Sequence, residues 1–114
     1  MEQLNRIELR GNVGGVRMTS TSTGAMCAHV SLVTNYLRSG SKEVNVEVTW
    51  HNVTIWQREG MPDITKIEKG NRMHVIGRMV QQHYIDAGGN DRSSYEVYAT
   101  SAEMLSENLT IQTA

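Results

Sequence analysis

The segment from Val44 to Trp56 constrains the fold more than any other part of this sequence, because it alternates strictly and holds both tryptophans of the chain. Strict alternation of this kind predicts a β-strand. Side chains two residues apart lie on the same face of a strand, so the segment has two distinct faces. These faces are Trp50, Asn52, Thr54 and Trp56 on one side, and His51, Val53 and Ile55 on the other.

The tryptophan face is not typical of a protein core. Asn52 and Thr54 lie between the two indoles, and a polar group that is buried without a partner costs free energy. A solvent-facing platform with two indoles and hydrogen-bonding groups between them suits stacking against nucleic-acid bases. The alternative is that both indoles fill the interior and that Val53 and Ile55 lie outside.

The composition limits the kinds of core and surface that the chain can form. Its 114 residues suffice for one domain with a modest core. The chain has no Phe, so Val, Ile, Leu and the seven Met must fill the core, and every aromatic is a Trp or a Tyr. The net charge is −1 and the pI is near 6.4, so no overall basic field attracts nucleic acid. Binding to nucleic acid would therefore depend on a local groove of cations.

The sequence also indicates a cellular compartment. Cys27 is the single cysteine, which excludes an internal disulfide, and no apolar signal segment opens the chain. No stretch approaches the roughly 20 apolar residues that span a bilayer. We expect a soluble, cytoplasmic, nucleoid-associated protein in a reducing compartment, with no membrane partner.

Five segments have the pattern of strands, and turn signals separate them. Gly14 and Gly15 loosen the chain after the first segment, and a Ser/Thr-rich run predicts a turn that closes at Gly24. Residues 36–42 and 86–91 have the composition of hairpin loops. The predicted strands are Arg6–Val13, Met26–Asn35, Val44–Trp56, Arg72–Tyr84 and Ser93–Leu105. In the fourth of these, Met73, Val75, Gly77 and Met79 share one face, and Arg78, Gln82 and Tyr84 share the other.

A short helix is predicted between the third and fourth strands. Pro62 suits a first helical position, Gly70 suits a stop, and Ile64 and Ile67 would face the sheet. Three strands, a short helix and two strands follow the order of the OB-fold, a five-stranded, partly open Greek-key barrel of the all-β class. We assign residues 1–105 to this domain and expect a short disordered end over residues 106–114.

A series of different short motifs extends along nearly the whole chain. They are Asn5-Arg6, Leu9-Arg-Gly-Asn-Val-Gly14, Thr23-Gly24, Ser31-Leu-Val-Thr-Asn35, Thr49-Trp-His-Asn-Val53, Lys69-Gly70, Val75-Ile-Gly-Arg78, Tyr84 with Asp86, Gly89-Asn-Asp-Arg92 and Tyr95-Glu-Val97. With this ordered set the sequence resembles the bacterial single-stranded DNA-binding proteins.

The resemblance implies a function and a set of site residues. It implies sequence-independent binding of single-stranded DNA, in replication, recombination or repair, by a protein that is not an enzyme and needs no cofactor. The implied base-stacking residues are Trp50, Trp56 and Tyr84, with Tyr36 as the nearest candidate for a fourth. It also implies a homo-oligomer, a tetramer or a dimer, in which first strands pair edge to edge. The acidic-aliphatic tip through which family members recruit replication and repair enzymes is absent from Ile111-Gln-Thr-Ala114, which counts against such recruitment.

Six cations flank the aromatic face or lie on the hairpins that frame it, and they are the candidates for phosphate contacts. Each could equally be a solvated surface charge. They are Arg17, Arg38, Lys42, Arg58, Arg78 and Arg92.

Catalytic and metal sites find little support in the sequence. The four histidines show no metal-ligand spacing with Cys27, and His51 is expected to face the interior or a partner subunit. No nucleophile with a base and an orienting group can be placed. A nuclease on the same fold would need a cluster of carboxylates and arginines. The stronger alternative is an OB-fold assembly or adaptor protein that binds protein or RNA, as primosomal proteins do.

Overall fold

The computed structural model describes residues 2–39, 44–106 and 110–113. Within them the chain forms strands and one 3-10 helix, Ile64–Lys66. The strands are β1 (Ile7–Ser20), β2 (Met26–Ser39), β3 (Val44–Trp56), β4 (Arg72–Ile85), β5 (Asp91–Leu105) and β6 (Gln112–Thr113).

Five of these strands close into a barrel. The order is β1-β4-β5-β3-β2, and a β1–β2 pairing joins the two ends. All of these pairs are antiparallel except β3 with β5, which run parallel where Val53 meets Val97. The predicted fold class is confirmed: the protein is an all-β, five-stranded OB-fold barrel with one short helical turn between the third and fourth strands.

The core consists of aliphatic side chains and one methionine from all five barrel strands. Leu32, Ile55 and Met73 are fully buried, and Val13 is nearly so. Burying such a side chain stabilises the fold by about 1.5–3 kcal/mol. Ile64 and Ile67 are also buried in this core, which confirms their predicted orientation toward the barrel.

The helical turn is shorter than the sequence predicts. Pro62 is not its first residue, because Asp63 is the N-cap and accepts hydrogen bonds from the backbone N–H of Thr65 at 3.0 Å and from its hydroxyl at 2.6 Å. The chain returns to an extended conformation at Ile67. Three of the four residues from Ile64 to Ile67 are β-branched, which disfavours continuation of a helix.

β1 and β2 are longer than predicted. β1 continues through Gly14 and Gly15, with a register irregularity between Val13 and Gly15, and pairs with β2 as far as Ser20. The irregularity lets the strand bend without ending, which is the usual effect of a bulge. The turn is confined to residues after Ser20 and ends at Gly24, whose φ of 90° suits glycine. β2 runs on to Ser39 through most of the predicted hairpin tip.

Two further differences concern the ends of elements. Gln112 and Thr113, which belong to the segment expected to be disordered, form β6 in parallel with Tyr36 and Leu37 of β2. Met79, which is predicted to share a face with Met73 and Val75, is 41% exposed, whereas those two residues are buried.

Candidate nucleic-acid interface

The tryptophan face of β3 lies on the outside of the barrel. Trp50 is 62% exposed and Trp56 is 42% exposed, whereas Val53 and Ile55 are buried on the opposite face. The predicted orientation is therefore confirmed, and the alternative with both indoles in the interior is wrong. Thr54 differs from the other members of this face, because it is only 4% exposed and its hydroxyl donates a hydrogen bond to Glu96 of β5. A buried hydroxyl with a partner carries no desolvation penalty of the kind that argued against a core position.

Gly14 forms the base on which the Trp50 ring lies. A Cβ atom at Gly14 would come within 2.6 Å of Trp50 Cη2, and closer still to Cζ3. Only a residue without a side chain leaves room for the indole at this point of β1. The bulge that bends β1 thus also sets the position of the ring on the outer face.

The outer face continues from β3 across β5 to β4. Thr54 is paired with Tyr98, Tyr98 with Arg78, and Tyr84 with Arg92. Directly paired residues share one face of a sheet, and so do residues two apart on a strand. Trp50, Trp56 and Tyr84, which is 52% exposed, therefore lie on the same face of the sheet.

A hydrogen-bonded group connects these strands on the outer face. Gln82 donates to Glu96 at 2.8 Å and to the hydroxyl of Tyr98 at 3.2 Å. The guanidinium of Arg78 lies 5.2 Å from the centre of the Tyr98 ring, within the range of a cation–π contact. Tyr98 and Glu96 thus lie on the candidate face, and neither is given a role by the sequence motifs. The hairpin register could have placed Tyr98 opposite Arg78, since the loop at 86–91 fixes which residues of β4 and β5 pair.

Tyr36 does not belong to this surface. Trp50 is paired with Val33, whereas Tyr36 is paired with Glu47, so Tyr36 and Trp50 lie on opposite faces of the β2–β3 hairpin. Tyr36 also pairs with Gln112 of β6. A strand that follows the outer face alone would not reach Tyr36, so its role in base stacking stays a prediction for the opposite face of the hairpin.

The predicted cations differ in whether they lie on the outer face and in whether they have a protein partner. Arg17 is exposed and pairs with His29, which pairs with Thr54, so Arg17 lies on the outer face, as does Arg78. Arg92 is on the same face but is held by Asp86, with 2.9 Å between Nε and Oδ2. Arg58 donates to the carbonyl of Thr100 at 2.6 Å.

The remaining two candidate cations are not on the described part of this face. Arg38 is paired with Asn45, on the face away from Trp50, and forms an ion pair with Glu47 at 3.1 Å. Lys42 lies outside the described residues.

Comparison with known proteins identifies the family. The single-strand binding protein family matches the chain over residues 4–105. The chain belongs to this family. A mitochondrial single-stranded DNA-binding protein of Oryctolagus cuniculus is 30% identical over 114 residues, which cover 91% of this chain and 76% of the relative. A single-stranded DNA-binding protein of Deinococcus radiodurans is 27% identical over 106 residues, covering 90% of this chain and 34% of the relative.

A solved structure supports the fold assignment. The structure of a Plasmodium falciparum SSB in complex with ssDNA superposes with a TM-score of 0.76 at 20% identity, and the match covers 92% of this chain and 96% of that one. At this identity the likeness shows that the two chains share a fold.

Two histidines of this single-strand binding family member lie within hydrogen-bond distance of threonine hydroxyls. His51 lies on the core-facing side of β3, with Nε2 2.9 Å from the hydroxyl of Thr34, and burial lowers the pKa of its imidazole. His29 is 3.1 Å from the Thr19 hydroxyl. Burial raises the pKa of the Cys27 thiol next to it, so this thiol is not activated as a nucleophile. Among the described residues no three His, Cys, Asp or Glu side chains form a group that could hold a metal ion.

The hairpin between β4 and β5 is ordered by one carboxylate. Asp86 accepts a hydrogen bond from Arg92 Nε at 2.9 Å. It also accepts hydrogen bonds from the backbone N–H of Gly88 at 2.9 Å and of Asn90 at 3.0 Å. The hydrogen bond from Arg92 lowers the pKa of Asp86 most, and the backbone N–H groups lower it further.

In the described part of this family member, no helix is long and apolar enough to span a membrane.

Proposed function

We propose that this protein binds single-stranded DNA without sequence preference and protects it during replication, recombination or repair. The observation that carries the proposal is the continuous outer face on which Trp50, Trp56 and Tyr84 are all exposed. Bases of any identity present a π-face, so exposed aromatic rings on one surface can bind a strand of any sequence. Membership of the single-strand binding protein family supports the same function.

Stacking supplies the first part of the binding free energy. The cost of replacing one stacking aromatic by alanine is about 1–3 kcal/mol per base, a magnitude established with single-strand binders of this class and adopted here. The known relatives are named as single-stranded DNA-binding proteins, and the structural neighbour was solved with ssDNA. Both facts favour DNA as the partner of these rings.

Phosphate contacts supply the second part. Arg17 and Arg78 lie on the outer face, and Arg58 and Arg92 lie at its margins with one protein partner each. Because the net charge of the chain is −1, affinity for a polyanion depends on this local arrangement. Arg38 adds to this set if the strand also follows the opposite face of the β2–β3 hairpin, and a phosphate contact of Lys42 stays a prediction.

The function is tested by following tryptophan fluorescence while a homopyrimidine oligonucleotide is added. Stacking on Trp50 and Trp56 should quench the emission strongly. Unchanged emission, with no binding by an independent method, would instead favour the assembly or adaptor role. That second function is supported by the exposed aliphatic side chains of Val46 and Val48, which extend beyond Trp50 along β3.

A homo-oligomer forms through the edge of β1, as a tetramer or a dimer. β1 pairs with β4 from Ile7 to Asn12, and its pairing with β2 begins only at Asn12, so in the described residues one edge from Ile7 to Gly11 has no strand beside it. An open edge of this kind suits pairing with the same edge of a second copy. Light scattering should give two or four times the chain mass of 12.8 kDa. The mass of a single chain would contradict the assembly.

The protein acts in the cytoplasm, associated with the nucleoid, as a binding protein and not as an enzyme. Its family of binding proteins and its bacterial relatives support this assignment. Incubation with labelled single-stranded and double-stranded DNA in the presence of Mg²⁺ should leave both intact. Cleavage would contradict the assignment.

A further inference from the structure

The outer face of the β4–β5 hairpin holds an arginine against an aromatic ring. The guanidinium carbon of Arg78 lies 5.2 Å from the centre of the Tyr98 ring. Arg78 is exposed, Tyr98 is half-buried, and the two residues are directly paired across the hairpin. A cation at this distance is attracted by the electron-rich face of the ring. The ring therefore limits the positions that the guanidinium occupies.

A β-bulge in β5 places Tyr98 opposite Arg78. The register of β4 with β5 shifts by one residue just before Gly77, because Thr100 has no partner in this ladder. Without the bulge the register would continue unchanged, and Arg78 would lie opposite Ala99. Bulges often re-aim the side chains beside them. Gly77 permits the close approach of the two strands, since a Cβ atom there would lie 2.9 Å from the carbonyl carbon of Tyr98.

The Tyr98 ring is itself anchored by hydrogen bonds on the same face. Its hydroxyl accepts a hydrogen bond from Gln82 Nε2 at 3.2 Å. Gln82 also donates to one carboxylate oxygen of Glu96 at 2.8 Å, and the other oxygen accepts from Thr54. Glu96 is thus engaged by two protein donors. Among the described residues, Arg78 has no carboxylate partner.

Contact through the face of the ring leaves the N–H donors of Arg78 free. A guanidinium has five N–H groups, and a cation–π contact uses none of them for a hydrogen bond. Two other arginines differ: Arg92 is engaged by Asp86 at 2.9 Å, and Arg38 by Glu47 at 3.1 Å. Arg78 is both oriented and free to donate, which suits bidentate binding of a phosphate group.

We propose that Tyr98 is a positioning residue for DNA binding, which holds the guanidinium of Arg78 on the outer face so that its free N–H groups bind a backbone phosphate. The inference rests on the proposed binding of single-stranded DNA and deepens it. Phosphate contacts carry no sequence information, so this contact is compatible with a strand of any sequence. An arginine that is already oriented loses less side-chain freedom when the strand binds.

A double-mutant cycle tests the role of Tyr98, with fluorescence anisotropy of labelled oligo-dT as the readout. Tyr98→Leu should weaken binding by about threefold, the range of an exposed cation–π contact. In an Arg78→Gln background it should have no further effect, because the guanidinium that Tyr98 orients is absent. Tyr98→Phe keeps the ring and should restore most of the affinity. Equal losses in the two backgrounds would overturn the inference, since Tyr98 would then act on the strand or on the fold without Arg78.

NMR of the free protein gives a readout that a purely structural role would not change. The ring current of Tyr98 should shift the Nε–H signal of Arg78, and the shift should vanish in Tyr98→Leu but persist in Tyr98→Phe. Tyr95→Leu is the matched control, since it removes a tyrosine from the other face of β5, and it should leave the shift in place. A signal that Tyr98→Leu does not alter would overturn the inference even if the protein binds DNA.

A last measurement needs no variant. When wild-type protein is saturated with oligo-dT, the Nε–H signal of Arg78 should move downfield, as expected for an N–H group that donates to phosphate. An unmoved signal in the complex would overturn the inference and leave the proposed function intact. If the wild-type protein binds no oligonucleotide, the proposed function fails, and the role of Tyr98 fails with it.

Discussion

The contact between Gly14 and the Trp50 ring links a backbone feature of β1 to the exposure of the indole. One side of the indole ring is exposed to solvent, and the other side packs against the backbone of β1 at Gly14. A base that stacks on its open side therefore meets a ring that is already held in place, which lowers the entropy lost on binding.

Replacement of the ring should affect binding far more than folding. Trp50→Ala should lose about 1–3 kcal/mol of affinity for single-stranded DNA, because one stacking partner is removed, while the largely exposed ring contributes little to the core. Fluorescence anisotropy of a labelled oligonucleotide measures the affinity, and thermal unfolding measures the stability. Tyr36→Ala, on the other face of the β2–β3 hairpin, is the control and should bind as the wild type does if the strand follows the outer face alone. A much lower melting temperature with unchanged affinity would mean that the ring serves the core.

The base beneath the ring can be tested separately. Gly14→Ala should displace the indole, because the new methyl group would overlap the ring, and should weaken DNA binding toward the level of Trp50→Ala. Gly15→Ala is the matched control, since a Cβ atom there has no heavy atom within 4 Å. In a Trp50→Ala background the Gly14 substitution should have no further effect on affinity, because its target is already absent. Additive losses would show that Gly14 acts on DNA by another route.

At the scale of the elements, the sequence predicts which side chains of one strand share a face. It does not predict which residues of two neighbouring strands are paired. The faces of β3 follow from a local two-residue period, so the exposure of Trp50 and Trp56 was predictable. The face of Tyr36 depends on whether it pairs with Glu47 or with a neighbour of Glu47, and a shift of one residue reverses the answer. The burial of Thr54 likewise depends on Glu96, a residue 42 positions away.

The β4–β5 hairpin should lose stability at low pH through Asp86. Arg92 and backbone N–H groups hold the folded-state pKa of this carboxyl below its ordinary value of about 3.9, so the ionised form is favoured by folding. The contribution is present above the unfolded-state pKa and is lost as the pH falls through the lower folded-state value. Asp86→Asn should therefore melt below the wild type at pH 7, and the difference should shrink toward pH 2.

Asp91→Asn separates this contact from a general effect of charge. It removes a carboxylate from the same hairpin but leaves the pair between Asp86 and Arg92 in place. Its melting temperature should follow that of the wild type at both pH values. If both variants melt alike at pH 7, the ion pair does not order the hairpin.

At the scale of the whole molecule, a chain with a net charge of −1 is expected to bind a polyanion through local cations. Such binding releases counterions from the strand, so the affinity should fall as salt is added, with a slope of about −0.7 in log–log terms for each phosphate neutralised. Arg17→Gln should make this slope shallower by about 0.7, because Arg17 lies on the outer face beside His29 and Thr54.

The matched control for this slope is Arg38→Gln. Arg38 lies on the opposite face of the β2–β3 hairpin and forms an ion pair with Glu47, so its loss should leave the slope unchanged if the strand follows the outer face alone. Affinities of both variants and the wild type, measured from 50 to 300 mM NaCl, decide the matter. A salt-independent wild-type affinity would exclude a cationic groove. An equal change of slope in the two variants would show that DNA contacts both faces of the β2–β3 hairpin.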